Sequence, residues 1–319
     1  MLGSLKIISG SSHLEFAKEI CNHMAVELSE IETVRFSNEN LLVRILDNVR
    51  ESDIFVIQTS CPPVSDHIIE TCLLLDALKH SSASRVTAVL PYFPYVRSDK
   101  KDQPRISIAA KLMANMFQTA GADKFLLMEL HSHQIQGFFH VPVDQLLAVD
   151  VFCDYLRQKD LDDYVIVAAD VGEAKHLGRY ANRLNLPMAI IDKRRIGNTD
   201  TVVPTHLIGD VNGMNCLLID DEIASGGTLC KAADFLKEKG AKTVRAAVVH
   251  PVLSGKAIEK INASSLDELI VTNTIPLAGK VDQCPKITVL SVAPLFAKAI
   301  QRIHNGDSIS VLFGPSDSY

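Results

Sequence analysis

Apolar residues along this chain fall into short, nearly continuous runs bounded by Gly, Pro, Ser or Asp, separated by longer stretches in which they recur at helical spacing. Continuous apolar runs suit strands buried on both faces, and their alternation with amphipathic stretches marks βαβ units around a mostly parallel sheet. Strands are expected over residues 5–8, 54–57, 86–90, 125–128, 165–168, 188–191, 216–219 and 244–249, and helices over 14–28, 64–80, 106–120, 174–184 and 229–239. A parallel sheet gathers its ligands at the carboxyl ends of its strands, so the residues just after these runs are where chemistry is to be sought.

At 319 residues the chain exceeds what one α/β core usually needs, and the strand, polar loop, helix pattern occurs in both halves. Two domains are expected, 1–148 and 149–319, with the C-terminal end packing back on the first. The net charge of -6 and pI near 6.0 spread no basic field, which sets nucleic acid aside as a partner and leaves small ligands gripped by local positive clusters. Seven scattered cysteines without a CxxC pair argue for reduced packing residues over a disulfide framework or structural zinc. The start lacks the layout of a signal peptide and no apolar run is long enough to span a membrane, so a soluble, cytoplasmic protein is expected.

The sharpest chemical signal is CLLIDDEIASGGTL, residues 216–229. A buried strand runs into two adjacent carboxylates, Asp220 and Asp221, then turns through Ala224, Ser225, Gly226, Gly227 and Thr228 into a helix. Ionised carboxylates only accept, and the cis-diol of a ribose can donate. Glycines let backbone amides converge on an anion, the hydroxyls of Ser225 and Thr228 add donors, and the following helix supplies its amino-terminal dipole. The string therefore describes a ribose 5-phosphate site, the plain alternative being an ordinary βα turn with an Asp cap.

These residues resemble the signature of the type I phosphoribosyltransferase fold. Four more stretches extend the resemblance: VRFSNEN (34–40), PYFPYVRSDKKDQPR (91–105), MELHSHQIQGFFHVPVDQL (128–146) and VAADVGEAKHLGRYANRLNLPMAIIDKRR (167–195). In order and spacing the set is similar to the ribose-phosphate pyrophosphokinases, also called phosphoribosyl pyrophosphate synthetases. The resemblance implies two type I phosphoribosyltransferase-like α/β domains, the first contacting nucleotide and the second ribose 5-phosphate. It also implies transfer of a pyrophosphoryl group from MgATP, with Mg²⁺ as cofactor, in a homo-oligomer of dimers such as a hexamer.

Residue by residue, it implies that Arg97 stacks on adenine with Phe36 opposite, while Asn38, Glu39, Asn40 and Ser98 lie about the nucleotide. Neither GxxxxGK[ST] nor GxGxxG is present, which agrees with such an unusual cradle, although Phe36 taken alone reads as a core residue. His131 matches the position that meets Mg²⁺ and the nucleotide, and Asp170 the second metal position. Zinc on His131 and His133 is the weaker reading, since no third ligand is evident. Lys193, Arg194 and Arg195 are expected straight after a strand; Lys193 and Arg195 match catalytic cations on a loop that closes over the transferring group, and Arg195 also the sugar-phosphate. The ordinary reading of such a charge run is a solvated face.

Some positions depart from the family pattern. Ala224 stands where many members have Asp, Ser225 where they have Thr, Ser98 for Gln, Glu129 for Asp, and Asn40 where an acid is usual. His133 and Gln145 replace the Ser and Asn of phosphate-activated members, so weak phosphate dependence is expected. Two rivals stay open at this point: a phosphoribosyltransferase sharing the 216–229 loop, and a catalytically silent regulatory subunit.

Overall fold

The computed structural model describes residues 3–169, 174–195 and 202–313, with the backbone alone at 174–176, 193–195 and 202–205. The chain separates into one unit of Met1–Leu147 joined by Thr274–Pro276 and Val292–Leu312, and another containing Ala148–Asn273 and Leu277–Ser291.

In the first unit, β1 (Leu5–Ser9), β4 (Asp53–Ile57), β5 (Arg85–Leu90), β6 (Lys124–Met128) and β7 (Val143–Leu146) form a five-stranded parallel sheet in that order. β4 is buried at every position, as a strand covered on both faces must be. The helices are α1 (Leu14–Met24), α2 (Val64–His80), α3 (Ala109–Ala120) and, from the far end of the chain, α8 (Ala293–Asn305). Phe296 of α8 meets Phe16 of α1 edge-on at 5.4 Å, which seats the returning helix. One core joins Ile54, Val56 and Val86 of the sheet to Leu74 of α2 and Phe117 of α3. A separate antiparallel hairpin, β2 (Ile31–Arg35) and β3 (Leu41–Ile45), lies against α2, where Thr33 donates to the buried Glu70 at 3.0 Å. α1 is shorter than its apolar pattern suggests: Ala25 turns left-handed, at φ 54°, and Leu28 bridges to Ile7 of β1.

The second unit holds α4 (Val149–Leu156), β8 (Tyr164–Ala168), α5 (Ala174–Leu184), β9 (Met188–Arg195), β10 (Val202–Ile208), β11 (Asn215–Glu222), α6 (Gly227–Glu238), β12 (Thr243–His250), α7 (Ala257–Ala263), β13 (Glu268–Thr272) and β14 (Ile287–Leu290). Its seven-stranded sheet runs β10-β9-β8-β11-β12-β13-β14, parallel except for β10. The strand order reverses about β8: β9 lies on one side and β11 on the other. A crevice opens at the carboxyl ends where such a reversal occurs, and that is where doubly wound sheets bind ligands. The core beneath gathers Val167, Leu218, Leu229, Leu236 and Val248.

All seven cysteines are free; six are buried and Cys72 is half-buried. Burial pushes the Cys216 thiol up to about 12 and that of Cys21 to about 11, which suits packing groups and not nucleophiles. No helix among the described residues is long and apolar enough to cross a membrane.

Candidate active site

The carboxyl end of β11 flanks the reversal of strand order. Cys216, Leu217, Leu218 and Ile219 are buried, and burial relaxes at Asp220 and Asp221. The strand does not stop before the acids, as its apolar run suggested, but continues to Glu222. β12 keeps pairing with it, Asp220 opposite Val248 and Glu222 opposite His250, after the β8 ladder has ended at Leu218 and Val167. The acids thus stand on a strand end held on one side and open on the side of the reversal. One Asp220 carboxylate oxygen accepts the Asp221 amide at 2.9 Å, which orients it.

The chain then turns. Ile223 is buried, Ala224 half-buried, Ser225 exposed, Gly226 buried, Gly227 half-buried and Thr228 exposed. Gly226 is left-handed, φ 73° and ψ -7°, a conformation that costs an L residue about 1–2 kcal/mol and glycine almost nothing. α6 begins at Gly227, not at Leu229, so the last residues of the motif are already in its first turn and no side chain caps it. Uncapped amides of a first helical turn, next to a left-handed glycine, are suited to an anion.

Lys260 of α7, on which the sequence reading placed no role, reaches this turn: its Nζ donates to the Ser225 carbonyl oxygen at 3.1 Å. No local motif announces it, because the fold brings it from the helix after the next strand.

In the first unit the expected nucleotide residues occupy exposed turns. Phe36, Asn38, Glu39 and Asn40 form the tip of the β2–β3 hairpin, closed by Phe36 N–H to Asn40 C=O and Glu39 N–H to Phe36 C=O, both at 2.9 Å. Phe36 is 49% exposed, just past the last strand pair, Arg35 with Leu41, which overturns its reading, taken alone, as a core residue. Arg97 is exposed and Ser98 half-buried in the loop after β5, where Tyr95 is left-handed at φ 56° and accepts the Ser98 amide at 2.9 Å. His131 is exposed beyond β6, which ends at Met128 as its apolar run predicts, Glu129 taking a left-handed φ of 37°. β5 and β6 are neighbouring parallel strands, so the Arg97 and His131 loops leave the same end of the sheet. His133 and Gln136 both meet the buried Gln145 side chain at its Oε1, at 3.2 and 2.7 Å.

Lys193, Arg194 and Arg195 are the last three positions of β9, not a segment following it. β10 extends the strand by pairing antiparallel, Pro204 opposite Lys193 and Val202 opposite Arg195. The sequence reading had no strand at 202–208, and without that partner the apolar run alone ends at residue 191. Asp170 lies outside the described residues.

Among the described residues no group of three His, Cys, Asp or Glu side chains comes together as a metal cage. Mg²⁺ prefers oxygen ligands and, bound with phosphates, keeps several waters, so an exposed His131 at a sheet end would meet such an ion through water or by a hydrogen bond to a phosphate.

Comparison with known proteins gives one family. Residues 5–121 match the model described as the N-terminal domain of ribose phosphate pyrophosphokinase, and residues 198–314 that of the phosphoribosyl synthetase-associated domain. The ribose-phosphate pyrophosphokinase of Helicobacter pylori is 47% identical over 308 residues, covering 97% of this chain and 96% of that one. That of Burkholderia pseudomallei is 43% identical, covering 98% of each. The crystal structure of phosphoribosylpyrophosphate synthetase from Mycobacterium smegmatis superposes with a TM-score of 0.89 at 37% identity, covering 95% of this chain and all of that one.

Proposed function

The chain belongs to the ribose-phosphate pyrophosphokinase family, and from that premise we propose how its residues serve the reaction. It is an enzyme: it transfers the β,γ-pyrophosphoryl group of ATP to the C1 hydroxyl of ribose 5-phosphate, giving phosphoribosyl pyrophosphate and AMP. The observation that carries the assignment of residues is the strand end at the reversal of order, where Asp220 and Asp221 lead into a left-handed Gly226 and the uncapped start of α6.

The 5-phosphate binds on the amides and hydroxyls of Ser225, Gly226, Gly227 and Thr228, and the 2′- and 3′-hydroxyls bind Asp220 and Asp221. Ala224 adds no carboxylate, and the seat works through backbone amides that its methyl leaves in place. Seated so, the sugar presents its anomeric hydroxyl for in-line attack on the β-phosphorus, with AMP leaving. Phe36 and Arg97 take the two faces of adenine, an aromatic ring and a guanidinium plane being apt for a purine, with Asn38, Glu39, Asn40 and Ser98 around the nucleoside.

Pyrophosphoryl transfer asks little covalent chemistry of the protein and much positioning and charge neutralisation. Lys193 and Arg195 supply positive charge to the β-phosphoryl oxygens and the departing AMP oxygen, and Arg195 also contacts the sugar-phosphate. His131 and Asp170 would hold the Mg²⁺ that accompanies ATP, which when bound would offset phosphate charge. Domains 1–148 and 149–319 carry the nucleotide and sugar groups respectively, in a cytoplasmic homo-oligomer built on dimers.

The test is a discontinuous assay with ribose 5-phosphate and MgATP, following AMP. Production of AMP stoichiometric with phosphoribosyl pyrophosphate, with no nucleobase added, is the expected result. Turnover only when a nucleobase and phosphoribosyl pyrophosphate are supplied overturns it in favour of a phosphoribosyltransferase; no turnover in either mixture overturns it in favour of a silent subunit.

A further inference from the structure

The turn that seats the anion is built against a second segment. After β12 the chain runs back beside residues 223–224: Leu253 N–H donates to Ile223 C=O and Ser254 N–H to Ala224 C=O, each at 2.9 Å. α7 follows at once, and Ala257, fully buried, underlies Gly226, where an added Cβ would stand 3.6 Å from the Ala257 carbonyl oxygen. Three residues on, about one helical turn, the same face presents Lys260, whose Nζ bonds the Ser225 carbonyl at 3.1 Å. That Nζ and the Ser225 Oγ stand 3.8 and 3.9 Å from the point where a Cβ on Gly227 would lie, so cation and hydroxyl converge on one spot of the turn.

A trans peptide is planar, with its N–H directed opposite to its C=O. Whatever fixes the Ser225 carbonyl therefore fixes the Gly226 amide, pointing the other way. The left-handed φ of Gly226 makes this peptide the pivot of the turn, and the Gly226 carbonyl is itself committed, accepting the Cys230 amide at 3.0 Å. Lys286, a second lysine near α7, is occupied at the far end of that helix, donating to the carbonyls of Ile261, Asn262 and Ser264 at 3.1, 3.2 and 2.8 Å. Among the described residues no carboxylate forms an ion pair with Lys260, which leaves its charge to act on the turn.

We infer that Lys260 is a positioning residue for the sugar-phosphate: it turns the Ser225–Gly226 peptide so that the Gly226 amide faces the anion, and it holds a positive charge beside the seat. The inference rests on the reading of residues 225–228 as the 5-phosphate seat.

The experiment compares Lys260→Ala, Lys260→Gln, Lys260→Arg and Thr228→Ala in the full chain, varying ribose 5-phosphate and MgATP separately and recording melting curves. Because Lys260 is exposed and acts through the Ser225 carbonyl, Lys260→Ala is expected to raise the KM for ribose 5-phosphate about threefold or more while the KM for ATP stays within about twofold. Lys260→Arg, which keeps charge and donor, recovers most of the loss; Lys260→Gln, a donor without charge, recovers less. An unchanged KM for ribose 5-phosphate in Lys260→Ala, equal rises for both substrates, or no recovery in Lys260→Arg overturns the inference, and the arginine variant decides the matter if the alanine one fails to fold. Thr228→Ala separates the two levels: a raised sugar-phosphate KM there with none in Lys260→Ala removes Lys260 alone, whereas no effect in either variant removes the seat and the inference with it.

Discussion

Gly226 and Gly227 are adjacent, yet one methyl group added to each should act in opposite directions on stability. At Gly226 the new Cβ meets nothing closer than 3.6 Å, ordinary contact, so sterics between residues do not decide; the backbone does, with φ at 73°. Holding an L residue there costs about 1–2 kcal/mol, and the reduced freedom of the unfolded chain returns about 0.4–1, leaving Gly226→Ala about 1 kcal/mol less stable. Gly227 has no such φ and is the first residue of α6, and its Cβ would meet nothing closer than 3.8 Å. Gly227→Ala should therefore be neutral or up to about 1 kcal/mol more stable. In a unit of this size 1 kcal/mol moves the melting temperature about 2–4 °C, which separates the pair by thermal unfolding. Binding should not follow stability. The Gly227 methyl would stand where Lys260 Nζ and Ser225 Oγ converge, so ribose 5-phosphate KM should rise in the more stable variant as well as in the strained one. Equal melting temperatures for the two variants would refute the backbone argument, and an unchanged sugar-phosphate KM in Gly227→Ala would refute the placement of the anion.

In the first unit, fully buried Asp53 accepts two hydrogen bonds from Arg85, at 2.8 and 2.7 Å, and one from His304 Nδ1 at 2.7 Å. Asp53→Ala leaves that guanidinium and imidazole facing each other without a counter-charge, and should cost about 3 kcal/mol, the low end for a broken buried pair because Arg85 keeps part of its water; an unchanged urea midpoint contradicts this. In the second unit, burial alone would raise the Glu268 carboxyl, but hydrogen bonds from Tyr155, Lys159 and Thr288 and the charge of Lys159 outweigh it and hold it below the usual range. A depressed acid stabilises above its unfolded value, about 4.3, and loses that contribution as pH falls through the folded one. Glu268→Gln should therefore melt lower than the parent at pH 7, and the gap should narrow as pH falls below about 4.3 through the depressed folded value; a gap that stays constant throughout that fall sinks the argument. Lys193→Ala should lower kcat about 10²–10³-fold with ATP affinity largely kept, and turnover close to the parent's removes the assigned role.

Elements buried on both faces were legible because burial leaves continuous apolar runs: β4, β8 and the first half of β11 are cases. Of those that escaped, some are short or one-sided, whereas β13, buried at four of its five positions, and the 13-residue α8 were passed over although their apolar patterns are plain. β2, Ile-Glu-Thr-Val-Arg, has no buried position, and β7 carries Asp144 and Gln145 among its four residues. β10 contains Pro204, which argues against a strand unless it lies at an edge or a bulge; β10 is the edge of its sheet and its register shifts between Pro204 and His206. That one omission also misplaced Lys193 and Arg195, since a strand's length is set by its partner as much as by its own residues. Similarly, the turn at 225–228 was legible because its groups are contiguous, whereas Lys260 reaches it only through the packing of α7.

The residues proposed for the sugar-phosphate and those proposed for the nucleotide place different demands on the elements that carry them. A diol and a phosphate are read by groups that must keep fixed separations, and these residues sit on a strand with four successive buried side chains beneath the acids and a helix start locked by Cys230 N–H to Gly226 C=O. A purine held between two planes tolerates sliding, and the groups assigned to it stand on a hairpin tip and a long loop. Ring stacking asks for area more than for register, so exposure of Phe36 and Arg97 is compatible with their roles. It follows that changes within Asp220–Thr228 should be felt as loss of sugar-phosphate recognition, while changes at the exposed Asn40 and the half-buried Ser98 should alter nucleotide preference without disturbing either core.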